Sequence, residues 1–318
     1  MRTRIAIYVL VTAIAGIFPG IGHGQVADCP QYSDAINKIM PAAVGNQDLL
    51  GGMLKVEAID WSAKIDPSIL FQSLGEEGTP SGKTLGRAYP GIGILKSPKG
   101  TSKLKFNLPR GEIQYVNQGR SFVAENPKAF DPEKSKTLVF GLLGQLGLPE
   151  TEFSLDGMKS SILRGRAAQN ETTRWVRDYD IETHFFIPRL VNGIPVLRSV
   201  MTVGVSNGGQ ISKFRARWTA LAIDPALLQA KALRRTAVAR AVQQALMKEQ
   251  GCINLESSRF DMFIAYVPLD DDQPDKDNVP EVAKQLLYSP KLVAFLMPST
   301  GSEGKEAGTV LEFDLFVR

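Results

Sequence analysis

Few side chains in this 318-residue sequence are suited to acid–base or metal chemistry. It contains two histidines, His23 and His184, and two cysteines, Cys29 and Cys252. A zinc site needs three or four ligands. The spacing Gly-x-Ser-x-Gly occurs at Gly204–Gly208, but it lies in a predicted β-hairpin and not in the strand-to-helix elbow that a serine hydrolase needs for its nucleophile. We therefore expect no catalytic residue, no metal site and no cofactor, and we expect His184 to be structural.

Acidic residues leave two other kinds of site open. Asp178 and Asp180 alternate in a probable strand, so an extracytoplasmic hydrolase with an unrecognised carboxylate site is an alternative. The run from Asp270 to Asp277 could bind Ca²⁺ through oxygen ligands, but it lacks the spacing of an EF-hand, which favours a solvated loop. The stretch GTPSGKT is not a phosphate loop, because Glu77 stands where the first glycine belongs.

The N-terminus has the pattern of a secretory signal. Arg2 and Arg4 precede an apolar run of 13 residues from Ile5 to Ile17. That run is shorter than the roughly 20 residues needed to span a bilayer. Small residues at Gly22 and Gly24 predict cleavage before Gln25. Residues 1–24 are thus a predicted signal peptide, the location is secreted or periplasmic, and no later segment is expected to cross a membrane.

The expected compartment also bears on the cysteines and the charge. In an oxidising space, Cys29 and Cys252 predict one disulfide, although two free buried thiols are an alternative. Removing Arg2 and Arg4 leaves 35 basic and 33 acidic residues, a net charge of +2. No basic excess calls for nucleic acid.

Periodicity predicts an α+β fold, with antiparallel sheets that are each packed by a helix. A hairpin is expected around the turn Pro109–Gly111, and a helix after Asp131-Pro132. The full set of predicted elements is a helix over Gln31–Met40, a strand over Met53–Trp61, a loop-rich region over 73–102, the hairpin over 104–115, a helix ending at Gly147, a second hairpin, a second helix after Asp224-Pro225, and strands over Phe260–Val267, Leu292–Leu296 and Val310–Val317.

The two hairpins are each followed by a helix, which suggests two copies of one hairpin–helix unit. Gly111 and Ile113 match Gly209 and Ile211 at a constant spacing. The predicted organisation after the signal is an N-terminal region over 25–102, a first α+β unit over 103–170 and a second over 175–318.

A β-meander is predicted between two Asn-Gly pairs, Asn192-Gly193 and Asn207-Gly208, each of which favours a type I′ turn. Pairing across the second turn sets Met201 near Phe214 and Leu197 near Trp218 on a core face. The opposite face collects four cations, which are the candidate partner-binding residues: Arg198, Lys213, Arg215 and Arg217. Such a cluster either is a solvated face that keeps the protein soluble or attracts an anionic partner.

The stretch from His184 to Phe214, HFFIPRLVNGIPVLRSVMTVGVSNGGQISKF, resembles the propeptide modules of thermolysin-like and fungalysin-like metalloproteases and the related PepSY modules. The resemblance rests on His184–Phe186, on Asn192–Val196 and on Asn207–Ile211. It implies a non-catalytic role in protease inhibition, folding assistance or extracytoplasmic binding. Such propeptides precede a protease domain, whereas this sequence lacks the zinc-protease signature His-Glu-x-x-His.

The sequence therefore predicts a secreted or periplasmic binding protein that contacts a protein partner or an anionic polymer of the cell envelope. An enzyme would show a deep pocket with convergent carboxylates. A binding module would show an open sheet face or an exposed strand edge.

Overall fold

The computed structural model describes residues 29–56, 64–76, 81–84, 91–120, 128–148, 150–154, 157–168, 175–251, 258–269, 287–297 and 309–317. The predicted signal peptide, the acidic run Asp270–Asp277 and Cys252 lie outside these residues. The fold is mixed α and β, and the strands are mostly antiparallel.

Five α-helices and twelve strands lie in the described part of the chain. The helices are α1 (Pro30–Ile39), α2 (Gln47–Met53), α3 (Pro67–Ser73), α4 (Pro132–Gln145) and α5 (Arg235–Gln250). The strands are β1 (Ser81–Thr84), β2 (Ile92–Lys96), β3 (Ser102–Asn107), β4 (Glu112–Asn117), β5 (Lys159–Ala168), β6 (Trp175–Val191), β7 (Ile194–Ser206), β8 (Ile211–Arg217), β9 (Ala222–Ile223), β10 (Arg259–Pro268), β11 (Leu287–Met297) and β12 (Thr309–Asp314).

The chain divides into two compact units. The central unit comprises Val56–Ala222 and Pro268–Tyr288, and the terminal unit comprises Met1–Lys55, Ile223–Val267 and Ser289–Arg318. The boundaries expected at residues 102, 170 and 175 stay a prediction.

The central unit is built on an antiparallel sheet in the order β1-β2-β3-β4-β8-β7-β6-β5. Helices α3 and α4 supply apolar side chains to a core on one face of this sheet, which we call the core face. The opposite side is called the outer face. Because side chains alternate along a strand, each strand contributes to both faces.

Helix α4 confirms its sequence prediction closely. Asp131 caps it by accepting a hydrogen bond from the amide of Lys134 at 2.9 Å, and Pro132 occupies the first turn. The apolar stripe is buried, and its members are Val139, Leu142, Leu143 and Leu146. Gly147 follows the helix with φ +62°, a left-handed conformation that favours glycine.

The hairpin of β3 and β4 is also confirmed. Between its strands, Leu108–Arg110 form a 3₁₀ turn, and Asn107 accepts a hydrogen bond from the amide of Arg110 at 3.3 Å. Gly111 closes the turn with φ +60°. Its carbonyl accepts a hydrogen bond from the amide of Trp218 at 2.8 Å, which ties the turn to the end of β8.

The arrangement of two separate hairpin–helix units is not confirmed. Strands β4 and β8 pair directly, Tyr115 with Phe214, so both predicted hairpins belong to one sheet. Two local predictions differ from the structure. Met53 ends α2 instead of starting a strand, and residues 57–61 of that predicted strand lie outside the described residues. The loop-rich region 73–102 contains the short strands β1 and β2 among its glycines and prolines.

The two Asn-Gly turns differ. Asn192 and Gly193 have φ +51° and +75°, as a type I′ turn requires. Asn207-Gly208 does not form such a turn, because Asn207 lacks the positive φ that a type I′ turn requires. The backbone amide of Asn207, which is buried, donates to the carbonyl of Ile181. There Gly209 carries the positive φ, +74°, and the loop is one residue longer. As a result Phe214 pairs with Val203, not Met201. The predicted faces of Val200–Val205 are kept because the shift is an even number of residues. The pairing of β7 with β8 begins at Val200, so it does not include the predicted neighbours Leu197 and Trp218.

The terminal unit packs α1 against α5. Tyr32 is fully buried and donates a hydrogen bond to the carbonyl of Gly251 at 2.6 Å. Arg235 donates to the carbonyls of Met40 and Pro41, 2.9 and 2.7 Å away, where α1 has ended. Strands β11 and β12 pair antiparallel, Leu292 opposite Phe313.

Two further predictions concern the cysteines and the membrane. Cys29 is buried, and the described residues include no free cysteine. Its pairing with Cys252 stays a prediction, supported by the contact between Tyr32 and the neighbouring Gly251. Among the described helices, we find none that combines the length and apolar character needed to cross a bilayer.

Candidate functional site

Cations line two strands on the outer face of the central sheet, and a strand without cations lies between them. On β3 they are Lys103 and Lys105, and on β8 they are Lys213, Arg215 and Arg217. Strand β4 lies between β3 and β8, so the two rows are about 10 Å apart. Lys96 on β2 pairs with Lys103 and extends the cluster. We call these six residues the basic face.

Direct cross-strand pairing puts two of these cations on one line. Lys105 faces Gln114, and Gln114 faces Arg215. All three side chains are exposed. Lys96, Lys103, Lys105 and Arg215 make no ion pair with any described residue. These charges are therefore available to an external anion.

Two open depressions lie along this face. One of about 350 Å³ is lined by residues of β3, β4 and β8, among them Lys105, Glu112 and Arg215. The other, of about 440 Å³, is lined by residues of β2, β3 and β4, among them Lys96 and Lys103. Neither is an enclosed cavity of the kind that holds a small ligand.

Three of the four predicted partner-binding residues lie together on the basic face. They are Lys213, Arg215 and Arg217. The fourth, Arg198, lies in a bulge of β7. On β6 the paired residues Pro188 and Leu190 are two positions apart, whereas their partners on β7, Val200 and Pro195, are five positions apart. Arg198 has φ +61° there. The alternation used to assign its face does not run through a bulge, so Arg198 is not in the same cross-strand rows.

The sequence prediction missed the lysines of β2 and β3. They join the face only through the pairing of β4 with β8, which are about 100 residues apart in the chain. The available signal was the alternation of Lys103 and Lys105 with Leu104 and Phe106, which put both lysines on a solvent face. Nothing local indicated which strand would lie beside them.

Acidic residues neutralise two of the cations. The carboxylate of Glu112 lies 3.4 Å from Nε of Arg217, and that of Glu182 lies 2.8 Å from Nζ of Lys213. Glu182 is 1% exposed, and it also lies 3.1 Å from Nε2 of His184. Gly204 makes room for it, because a Cβ there would overlap the carboxylate. The uncompensated charge of the face is thus carried by the other four cations, Lys96, Lys103, Lys105 and Arg215.

The environment of Glu182 favours its charged form. Burial raises the pKa of Glu182, but contacts with His184, Lys213 and the hydroxyl of Ser212 outweigh burial and lower the pKa to about 2. His184 therefore contacts a buried carboxylate, and its structural role stays a prediction.

Acid should weaken the fold through Glu182. The unfolded chain protonates this carboxylate near pH 4.5 and the folded chain only near pH 2, so stability falls as the pH drops through that window. The loss is about 3 kcal/mol at most. Urea unfolding at pH 6, 4, 3 and 2 should show a steeper decline for the wild type than for Glu182→Gln. Glu133→Gln, at an exposed position, should follow the wild type; parallel profiles for all three chains would contradict this assignment.

Of the two depressions on the basic face, one is lined by a single carboxylate, Glu112, and the other by none. The side chain of Asp178 lies outside the described part of the structure. Asp180 accepts from Nε of Arg164 at 3.0 Å and from the amide of Ala129 at 3.3 Å. In the part of the chain that the structure describes, no three His, Cys, Asp or Glu side chains lie close enough together to hold a metal ion.

Comparisons of the chain with protein-family models, with curated proteins and with solved structures found no match. The fold and the face therefore define this protein only as a mixed α and β protein with a basic, open sheet surface.

Proposed function

We propose that this protein is a secreted or periplasmic binding protein without catalytic activity, and that its basic face holds an acidic protein partner. The observation that carries the proposal is the line Lys105–Gln114–Arg215, in which two exposed, unpaired cations flank a neutral polar residue. Like charges held close together on a rigid sheet repel one another, and an anionic partner relieves that repulsion.

The propeptide-like pattern in residues 184–214 supports a protein as the partner. In the families that it resembles, the module acts on a protease, so protease inhibition is the specific form of this proposal. The assay is inhibition of a thermolysin-type metalloprotease by the mature chain. An anionic polymer of the cell envelope is the second candidate, favoured by Lys96 beside Lys103, where two cations face each other across neighbouring strands.

Removing the unpaired charges should weaken binding of an acidic chain. We expect Lys105→Ala/Arg215→Ala to reduce the affinity for poly-L-glutamate about tenfold in low salt, as each exposed cation contributes about 0.7 kcal/mol. Fluorescence anisotropy with labelled poly-L-glutamate measures this.

The matched control is Lys134→Ala/Lys136→Ala, which removes two charges from α4, on the other side of the same sheet. It should bind like the wild type. Equal losses in both double variants would mean that net charge, not the basic face, determines binding. Tighter binding of polyphosphate than of poly-L-glutamate would favour the envelope polymer.

A further inference from the structure

The outer face continues beyond the cations into an apolar strip. Phe186 on β6 and Val200 on β7 are 41% and 40% exposed. Pro188 pairs with Val200 between the two strands, and Thr202 pairs with Phe186. Exposed aromatic and aliphatic side chains at the edge of a charged cluster are typical of protein-binding surfaces rather than of surfaces that bind simple polyanions.

Cross-strand pairing connects this strip with the basic face. Arg215 pairs with Thr202, and Arg217 pairs with Val200. One line of directly opposed residues therefore runs across five strands: Lys105, Gln114, Arg215, Thr202 and Phe186. With strands about 4.8 Å apart, the line is about 19 Å long, which equals six residues of extended chain at about 3.3 Å each.

We propose that the partner contacts this line with an extended segment of about six residues that crosses the strands, with acidic side chains over Lys105 and Arg215 and an apolar side chain at Phe186. This inference rests on the proposed function and adds the binding mode and the sequence character of the partner. Charge complementarity positions the acidic part of the segment, and burial of Phe186 and Val200 holds its apolar end. A polyphosphate or an acidic polysaccharide has no group that would cover the apolar strip.

Two peptides of equal charge separate the apolar contribution from the electrostatic one. One has five glutamates with a leucine at each end, and the other has five glutamates with a serine at each end. The terminal leucines make the probe independent of the direction in which the segment lies. We expect the leucine peptide to bind the wild-type chain about fivefold more tightly, since one leucine becomes largely buried.

The variants assign that gain to the strip. Phe186→Ala should remove the fivefold advantage and leave the affinity for the serine peptide unchanged. The matched control is Phe140→Ala, because Phe140 is 38% exposed but lies on α4, on the core side of the sheet. It should keep the advantage. Thermal unfolding of both variants shows that each is folded, since neither side chain is buried.

The outcomes distinguish this inference from the proposal on which it rests. If both peptides bind equally well, or if Phe186→Ala weakens both to the same degree, the crossing segment is wrong while the basic face stands. If neither peptide nor poly-L-glutamate binds the wild type, the proposed function itself is wrong. If polyphosphate binds more tightly than either peptide and Phe186→Ala has no effect on it, the ligand is an anionic polymer and the inference is overturned.

Discussion

Gly111→Ala should lower the free energy of unfolding of the central unit by at least about 3 kcal/mol. A residue with a Cβ is less stable than glycine in the left-handed backbone at φ +60° by about 1 kcal/mol. The larger effect is steric. A Cβ on Gly111 would overlap the carbonyl oxygen of Trp218 and lie 2.7 Å from the amide nitrogen of Thr219. These are backbone atoms, so no side-chain rotation relieves the contact.

Gly147 provides the control. It has φ +62°, nearly the same conformation, but a Cβ there would meet no atom within 4 Å. Gly147→Ala should therefore lose only the conformational part, about 1 kcal/mol. Urea unfolding of both variants measures the difference. Equal losses would mean that the close approach of Gly111 to Trp218 does not constrain the fold.

This contact also bears on the proposed binding, because it holds β4 beside β8 at one end of the basic face. The amide of Trp218 donates to the carbonyl of Gly111 at 2.8 Å, directly beyond the pairing of Glu112 with Arg217. Displacing the turn moves β4 against β8, and with it the line from Lys105 to Arg215. Gly111→Ala should consequently weaken poly-L-glutamate binding even in molecules that remain folded.

Arg189→Met should destabilise the central unit by about 3–5 kcal/mol, because it leaves a buried carboxylate without its cation. Arg189 is fully buried, and its Nε donates to Glu152 at 3.0 Å. The same carboxylate accepts from Nε1 of Trp218 at 2.9 Å, and the Arg189 guanidinium lies 5.1 Å from the centre of the Trp218 ring. Burial lowers the pKa of Arg189, and the charge of Glu152 opposes that effect.

The double variant tests whether the loss comes from the unpaired charge. Arg189→Met/Glu152→Gln removes both charges and keeps a side chain that can accept from Trp218. We expect it to recover at least about 2 kcal/mol relative to Arg189→Met, since an apolar replacement of a complete buried pair is often tolerated. A double variant that is less stable than Arg189→Met would contradict this account. The loss of stability in Arg189→Met would then not come from a buried carboxylate without its cation.

Local chemistry made much of the fold predictable. The cap at Asp131, the apolar stripe of α4 and the turn at Gly111 are set by residues within a few positions of one another. The faces of β7 and β8 were also predictable, because alternation tolerates the shift caused by the longer loop at Asn207. Alternation failed in the bulge that contains Leu197 and Arg198, where Val196 is buried although alternation assigns the core face to Leu197.

Contacts between distant segments were not predictable from local patterns. The basic face depends on β4 lying beside β8, and the partner of Arg189 is 37 residues away. One signal for the buried pair was present, however. Arg189 alternates in phase with Phe185, Ile187 and Val191, which face the core, and a cation in that position requires a buried anion.

The measurement that tests the central claim most directly is the affinity for poly-L-glutamate over a series of salt concentrations. We expect the wild type and Lys134→Ala/Lys136→Ala to lose affinity steeply and in parallel as salt rises, because screening acts on the unpaired charges of the basic face. Lys105→Ala/Arg215→Ala should bind more weakly and respond less to salt. If both double variants give the same affinity and the same salt dependence, the basic face is not the binding site.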